Sequence, residues 1–175
     1  MSYFHFRVQN KYKYDTLLNI IEDNKELMEE IKNQYIILLS QLTETSMIST
    51  PMISTSMISN ELFINKIKEI SNIGNIIVCY YIEENKKLKI VGSGTVIYQP
   101  KLTHHCKYVG HIEDIIVHNM HRSNGIATQI IQQLIDMANI KKCYKVILDC
   151  KPELYGFYEK IGLKRTGNQM SKYFY

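Results

Sequence analysis

The chain has 175 residues, with 45% hydrophobic and 22% charged residues and a net charge of +4 at pH 7. That length and balance predict one soluble globular domain over residues 1–175. The charge suits an anionic small ligand but is too small and too scattered to indicate a nucleic-acid surface. No apolar run is long enough to span a bilayer.

Four cysteines occur, Cys79, Cys106, Cys143 and Cys150. None forms a Cys-x-x-Cys pair, and no His or Cys spacing suits a zinc site, so no metal is expected. The thiols read as reduced groups of an intracellular protein, with Cys150 more a packed thiol than a nucleophile. The opening stretch MSYFHFRVQNKYKYD lacks the apolar core of a signal peptide, which makes the cytoplasm the expected location.

Residues 3–8 alternate apolar and polar and predict a first strand. From Asp15 to about Leu42 the apolar residues recur at helical spacing (Leu17, Ile21, Leu27, Ile31, Tyr35, Leu38), which predicts two helices broken near Asn24. A five-residue unit then repeats three times, SMIST-PMIST-SMISN, over residues 46–60. It is uncharged, contains Pro51 and is too short in period for a solenoid, so it predicts a low-complexity loop insertion. Glu61 to Ile73 reads as a helix capped at Asn60 and ended near Gly74. Strands follow at 75–83 and 88–98, joined by the polar turn Glu84-Asn85-Lys86-Lys87, and another at 108–118. Gly125 to Asn139 is an amphipathic helix, Lys145 to Cys150 a strand, Glu153 to Lys160 a short helix ended by Gly162, and 163–174 again strand-like. The order predicts an α/β (α+β) domain: a mixed sheet with helices on both faces.

The segment Gly110–Thr128, GHIEDIIVHNMHRSNGIAT, carries the most chemistry. Its apolar run Ile112, Ile115, Ile116, Val117 holds two adjacent carboxylates, Glu113 and Asp114. In a regular strand these two point to opposite faces. After the run come Arg122, Ser123, Asn124 and Gly125, and then a helix opens. A helix start offers unpaired N–H groups and about half a positive charge to an anion. Gly125 lets a diphosphate approach the backbone, and Arg122 adds a planar fork of donors.

Arg122-x-x-Gly125-x-Ala127 after such a strand resembles the acyl-coenzyme A signature of the GNAT acetyltransferases. GHIEDI, CYKVILDC (143–150), FYEKIGL (157–163) and QLTET (41–45) are similar, in order and spacing, to the glucosamine-6-phosphate N-acetyltransferases within that family. The resemblance covers most of residues 36–172. It implies a GNAT fold whose sheet splays at the acetyl-CoA strand. It also implies a homodimer, and transfer from acetyl-CoA to the amine of glucosamine 6-phosphate within a ternary complex, feeding synthesis of the nucleotide-sugar donor of N-acetylglucosamine. Another amine substrate, or a coenzyme-binding sensor without turnover, is the alternative.

The resemblance places the coenzyme pyrophosphate over Arg122, Ser123, Asn124, Gly125, Ile126, Ala127 and Thr128, and the pantetheine arm along Ile115, Ile116 and Val117. It implies a bulge in this strand, with the Ile115 N–H polarising the thioester oxygen. Glu113 or Asp149 positions the amine and receives its proton, and Tyr158, beside the coenzyme, is the acid for the leaving thiolate. Read without the resemblance, Asp149 serves equally to cap the turn at Lys151-Pro152, and Tyr158, at helical spacing from Leu154, fits core packing. Lys101, His104 and Thr43 are the expected contacts to the sugar phosphate, joined by Asp114 and Lys172. Two positions depart from the pattern: Leu154 stands where an asparagine is expected, and Tyr173 where an arginine is, with Lys172 adjacent.

Overall fold

The computed structural model describes residues 11–43, 58–167 and 169–172. The expected strand at 3–8 and residues 46–57 of the repeat lie outside the described residues. The chain runs β1 (Lys13–Thr16), α1 (Leu17–Asp23), α2 (Met28–Thr43), α3 (Asn60–Ile73), β2 (Gly74–Ile82), β3 (Leu88–Pro100), α4 (Thr103–Cys106), β4 (Tyr108–Val117), α5 (Ile126–Ile140), β5 (Cys143–Ile147) and α6 (Tyr155–Lys160). The five strands lie in the order β1-β2-β3-β4-β5. Pairs from β1 to β4 are antiparallel, and β5 runs parallel to β4 after the α5 crossover.

Strand β1 corrects the reading of Asp15 onward as helix. Thr16 caps α1, its hydroxyl accepting from the Asn19 N–H at 3.1 Å, and Lys13–Thr16 pair with Ile77–Tyr80. The break near Asn24 is present as a 3-10 turn over Lys25–Leu27. Helix α3 is capped by Ser59 rather than Asn60, and Gly74 already belongs to β2. Residues 163–167 and 169–172, expected as strand-like, carry no strand.

Period-two alternation sorts β2 between two cores. Ile76 and Val78 pack with Leu17, Ile31 and Leu38 on the α1–α3 side. Ile77 and Cys79 pack under α5, where Ile130, Ile131 and Leu134 are fully buried. Each such side chain contributes about 1.5–3 kcal/mol. Helix α5 therefore lies pressed on the sheet, with its N-terminus at the C-terminal end of β4. On the other face Gln34 ties α2 to β3: its amide donates to the Leu88 carbonyl and accepts from the Ile90 N–H, each at 3.0 Å.

Candidate active site

The strand that carries Glu113 and Asp114 is bulged. Ser93 pairs with Ile116 and Thr95 with Glu113, so Asp114 and Ile115 together stand opposite Gly94. Asp114 takes the left-handed conformation this needs, with φ 53°. The bulge changes the parity of the strand. Ile112 and Ile116, four residues apart, would share a face in a regular strand, yet Ile112 packs under α5 and Ile116 on the α2 side. Gly94 makes room for it: a Cβ there would lie 2.4 Å from Ile115 Cδ1 and 2.8 Å from Ile130 Cγ2.

Ahead of the bulge, from Ile112 on, β4 parts from β5. The last β4–β5 pair is His111 with Ile147, so Ile112 to Val117 face Leu148 to Cys150 across a gap without ladder hydrogen bonds. Backbone polar groups on the two sides of such a gap are available to an extended ligand.

At the C-terminal end of β4, residues 122–125 form the turn that opens α5. Ser123 and Gly125 have φ of 64° and 74°, and no side chain caps α5, whose first N–H groups point out of the helix start. Arg122 donates through Nε to the Val117 carbonyl at 3.2 Å, which anchors an exposed guanidinium beside the turn. The Asn124 amide donates to the carbonyls of His121 and Arg122, each at 3.0 Å. Within the helix Ile126 is buried and Ala127 half-buried, while Thr128 is exposed.

The carboxylates differ. Glu113 is exposed, 3.8 Å from the His111 imidazole, a contact too long for a hydrogen bond. Asp114 keeps a solvent-exposed surface, yet enough protein crowds its carboxylate for burial to raise its pKa. Across the sheet the buried Ser93 hydroxyl donates to the Tyr35 hydroxyl at 3.2 Å. Tyr35 is pushed up to about 12 by burial first, with the Ser93 bond opposing and the Asp114 charge reinforcing. Sequence reasoning placed Tyr35 in the core and missed this polar pair. Its signal, a tyrosine in an otherwise aliphatic helical face, is weak.

Asp149 and Tyr158 come together at the end of β5. Both line a cavity of about 960 Å³ with Cys150, Tyr155 and Arg165. This cavity lies along the outer edge of β5 rather than in the gap toward β4. Tyr158 is buried, edge-on to Phe157, and burial, then the Cys150 thiol, raises its pKa. The Cys150 thiol is itself raised, by burial first and then by Asp149 and Glu153. That keeps it a protonated, packed group, as the sequence suggests. Leu154 is partly exposed in the 3-10 turn before α6.

The residues expected at the sugar phosphate are not gathered with these in one chain. Lys101 and His104 sit where β3 returns into β4, beside the Pro100–Tyr108 pair, whereas Glu113 lies five residues along β4. At about 3.4 Å per residue that is ~17 Å. The physical reason is the antiparallel hairpin: its connection and the bulge lie toward opposite ends of one strand. The connection is also unusual. His104, His105 and Cys106 all have left-handed φ (54°, 59° and 57°), and the His104 ring stacks on Tyr144 at 3.9 Å. Thr43 ends α2, its side chain outside what the structure describes, and Lys172 is exposed near the end of the described chain. Tyr173 lies outside it.

Comparison with known proteins gives this geometry a context. The model of the acetyltransferase (GNAT) family matches residues 54–163. A relative from Arabidopsis thaliana named glucosamine 6-phosphate N-acetyltransferase is 36% identical over 140 residues, 80% of this chain and 87% of its own. One of the same name from Candida albicans is 34% identical over 143 residues, 82% of this chain and 89% of its own. The crystal structure of the Arabidopsis thaliana glucosamine-6-phosphate N-acetyltransferase superposes with a TM-score of 0.71 at 31% identity, covering 93% of this chain and 98% of that one.

Proposed function

Because the chain belongs to the GNAT acetyltransferase family, and is thereby an acyltransferase, we propose that it acetylates the 2-amino group of glucosamine 6-phosphate with acetyl-CoA, yielding N-acetylglucosamine 6-phosphate. The observation that carries this is the similarity, over four fifths of the chain, to enzymes named for that reaction. The bulged, splayed β4 ending in an uncapped helix start supports it, because that is a shape made for a long anionic thioester.

The reaction is direct transfer in a ternary complex. The amine nitrogen attacks the thioester carbonyl carbon, the C–S bond breaks, the amine loses one proton and the leaving thiolate takes one. Holding both reactants in line supplies much of the rate. In this proposal the turn Arg122–Thr128 holds the pyrophosphate, and Ile115–Val117 line the pantetheine arm. The Ile115 N–H, set beside the bulge, donates to the developing oxyanion, an interaction of about 2.7–4 kcal/mol in comparable sites. An amine flanked by sugar oxygens gives up its proton more easily than a lysine, so Glu113 or Asp149 suffices to orient it and accept the proton. Tyr158 serves the thiolate. Its phenol lies above the ordinary value near 10 while a thiol lies near 8.5, so full transfer is uphill by about 2 kcal/mol or more. Tyr158 acts first as a hydrogen-bond donor to the departing sulfur.

Lys101, His104, Thr43, Asp114 and Lys172 complete the sugar-phosphate site when a second subunit brings its own copies across the sheet. Among the described residues no strand pairs with the outer edge of β5, which borders the 960 Å³ cavity, and this supports such a homodimer. Among the described residues no helix is long and apolar enough to cross a membrane. Action in the cytoplasm, supplying UDP-N-acetylglucosamine synthesis, is part of the same proposal.

The test is thiol release from acetyl-CoA with glucosamine 6-phosphate, glucosamine or no amine. Rapid release with the phosphorylated sugar alone supports the assignment. Release with other amines only, or coenzyme binding without turnover, overturns it in favour of a different amine or a sensor.

A further inference from the structure

The turn that receives the coenzyme is braced from the far edge of the sheet. Tyr12, just ahead of β1, bonds through its hydroxyl to His121 Nδ1 at 2.9 Å, across 109 residues of sequence. The β1–β2 register explains how it gets there. Lys13 pairs with Tyr80, which sets Tyr12 beside Tyr81 at the end of β2. The Tyr12 ring meets Tyr81 edge-on at 6.3 Å and the His121 ring edge-on at 5.9 Å, and Tyr81 lies 5.6 Å from His121. His118, whose own N–H donates to the Val91 carbonyl, closes the cluster edge-on to His121 at 5.7 Å.

His121 is thus held on its side-chain and its backbone sides at once. Its ring is fixed by Tyr12, and its carbonyl accepts from the Asn124 amide, which also bonds the Arg122 carbonyl. Arg122 follows directly, and Gly125 opens α5. Among the described residues, His121 and the Val117 carbonyl are two of the points that tie the sheet to this turn. Burial, then His118 and Lys11, lower the pKa of the imidazole. A neutral ring with its hydrogen on Nε2 accepts the Tyr12 proton at Nδ1.

We propose that Tyr12 and His121 are positioning residues for the coenzyme: their hydrogen bond fixes the Arg122–Gly125 turn in its anion-binding conformation without touching the ligand. The inference rests on the coenzyme role assigned to that turn above. It predicts a selective effect. Loss of the bond loosens the turn and weakens donor binding, while the sugar-phosphate site proposed above, centred on Lys101 and His104 at the other end of β4, is unaffected.

The experiment measures coenzyme A affinity by titration calorimetry, alongside KM for glucosamine 6-phosphate. Tyr12→Phe keeps the ring and removes the hydroxyl. It is expected to raise the coenzyme Kd about fivefold, the worth of one ordinary hydrogen bond, and to leave the sugar KM within twofold. At position 121 two amides discriminate. His121→Asn places its amide oxygen near the site of Nδ1 and is expected to retain most of the affinity. His121→Gln reaches past it and is expected to match Tyr12→Phe, with no further loss in the double variant. An unchanged Kd in a folded Tyr12→Phe protein, or penalties that add in the double variant, overturns the proposal. So does equal loss in the Asn and Gln variants. If Tyr12→Phe does not fold, the Asn–Gln contrast alone decides. Because binding is read without turnover, failure here is distinct from failure of the wild-type protein to acetylate glucosamine 6-phosphate.

Discussion

The two ends of β4 hold different kinds of site. At the C-terminal end, Arg122 to Thr128 form an anion turn from one short stretch of chain, by backbone conformation more than by side chains. At the N-terminal end, Lys101 and His104 sit on an exposed connection with three successive left-handed residues, ~17 Å from the bulge. A local turn is complete as soon as its helix docks. A site spread over several elements needs every one of them placed, and in the function proposed above also a second copy of the chain. The proposed donor half of the reaction is therefore built within one subunit, and the proposed acceptor half lies between two.

The comparison breaks most visibly at the residue that serves neither end alone. Tyr158→Phe removes the proposed donor for the leaving thiolate and is expected to lower kcat about 100-fold, in the lower part of the range for acid–base groups. Binding of coenzyme A, measured by calorimetry, should change little. A fall of less than threefold would make Tyr158 a packing residue.

Gly94→Val tests the bulge. Its side chain would displace Ile115 and Ile130, already 2.4 and 2.8 Å from a bare Cβ. A loss of about 1–3 kcal/mol in a denaturant melt is expected, as for overpacked cores, with a fall in kcat/KM for both substrates. A stable variant that keeps full activity would show that bulge and chemistry are independent.

Lys101→Ala sharpens the contrast between the ends. It should raise KM for glucosamine 6-phosphate about tenfold, a common cost for one lost charged contact. Coenzyme affinity should be untouched. If the chain forms the proposed dimer, mixing the Lys101→Ala protein with a Tyr158→Phe protein is expected to recover activity where the sugar site draws on two subunits.

The smallest effect is an absence. Burial raises the pKa of Tyr158, so its donating, neutral form persists at all lower pH and is lost only as pH rises through that raised value. Steady-state rates should show no alkaline limb below about pH 10. A limb near pH 8 to 9 that disappears in Tyr158→Phe would contradict the environment described here.

The order of elements was legible wherever local signals are strong. Asn24 breaks a helical run, Lys86 turns a hairpin with φ 65°, and Gly125 opens α5 with φ 74°. Short segments were not legible. Lys13 to Thr16 has no distinctive strand pattern and becomes β1 because Ile77–Tyr80 present a free edge to it. Residues 163–172, patterned like a strand, have no described partner to pair with.

The adjacency of Glu113 and Asp114 is written in the chain, as is the Arg-x-x-Gly-x-Ala turn, because both depend on neighbours a few residues apart. Which faces the carboxylates take is not. A strand's alternation sends them to opposite sides, and it is Gly94, on another strand, that admits an extra residue and reverses the parity. The same holds for Tyr35 against Ser93 and for Tyr12 against His121, separated by 58 and 109 residues. Local sequence sets conformational preference through sterics and short-range hydrogen bonds. Burial, pKa and long-range pairing depend on which surfaces the packed sheet and helices exclude from water, and that is settled only when the whole domain closes.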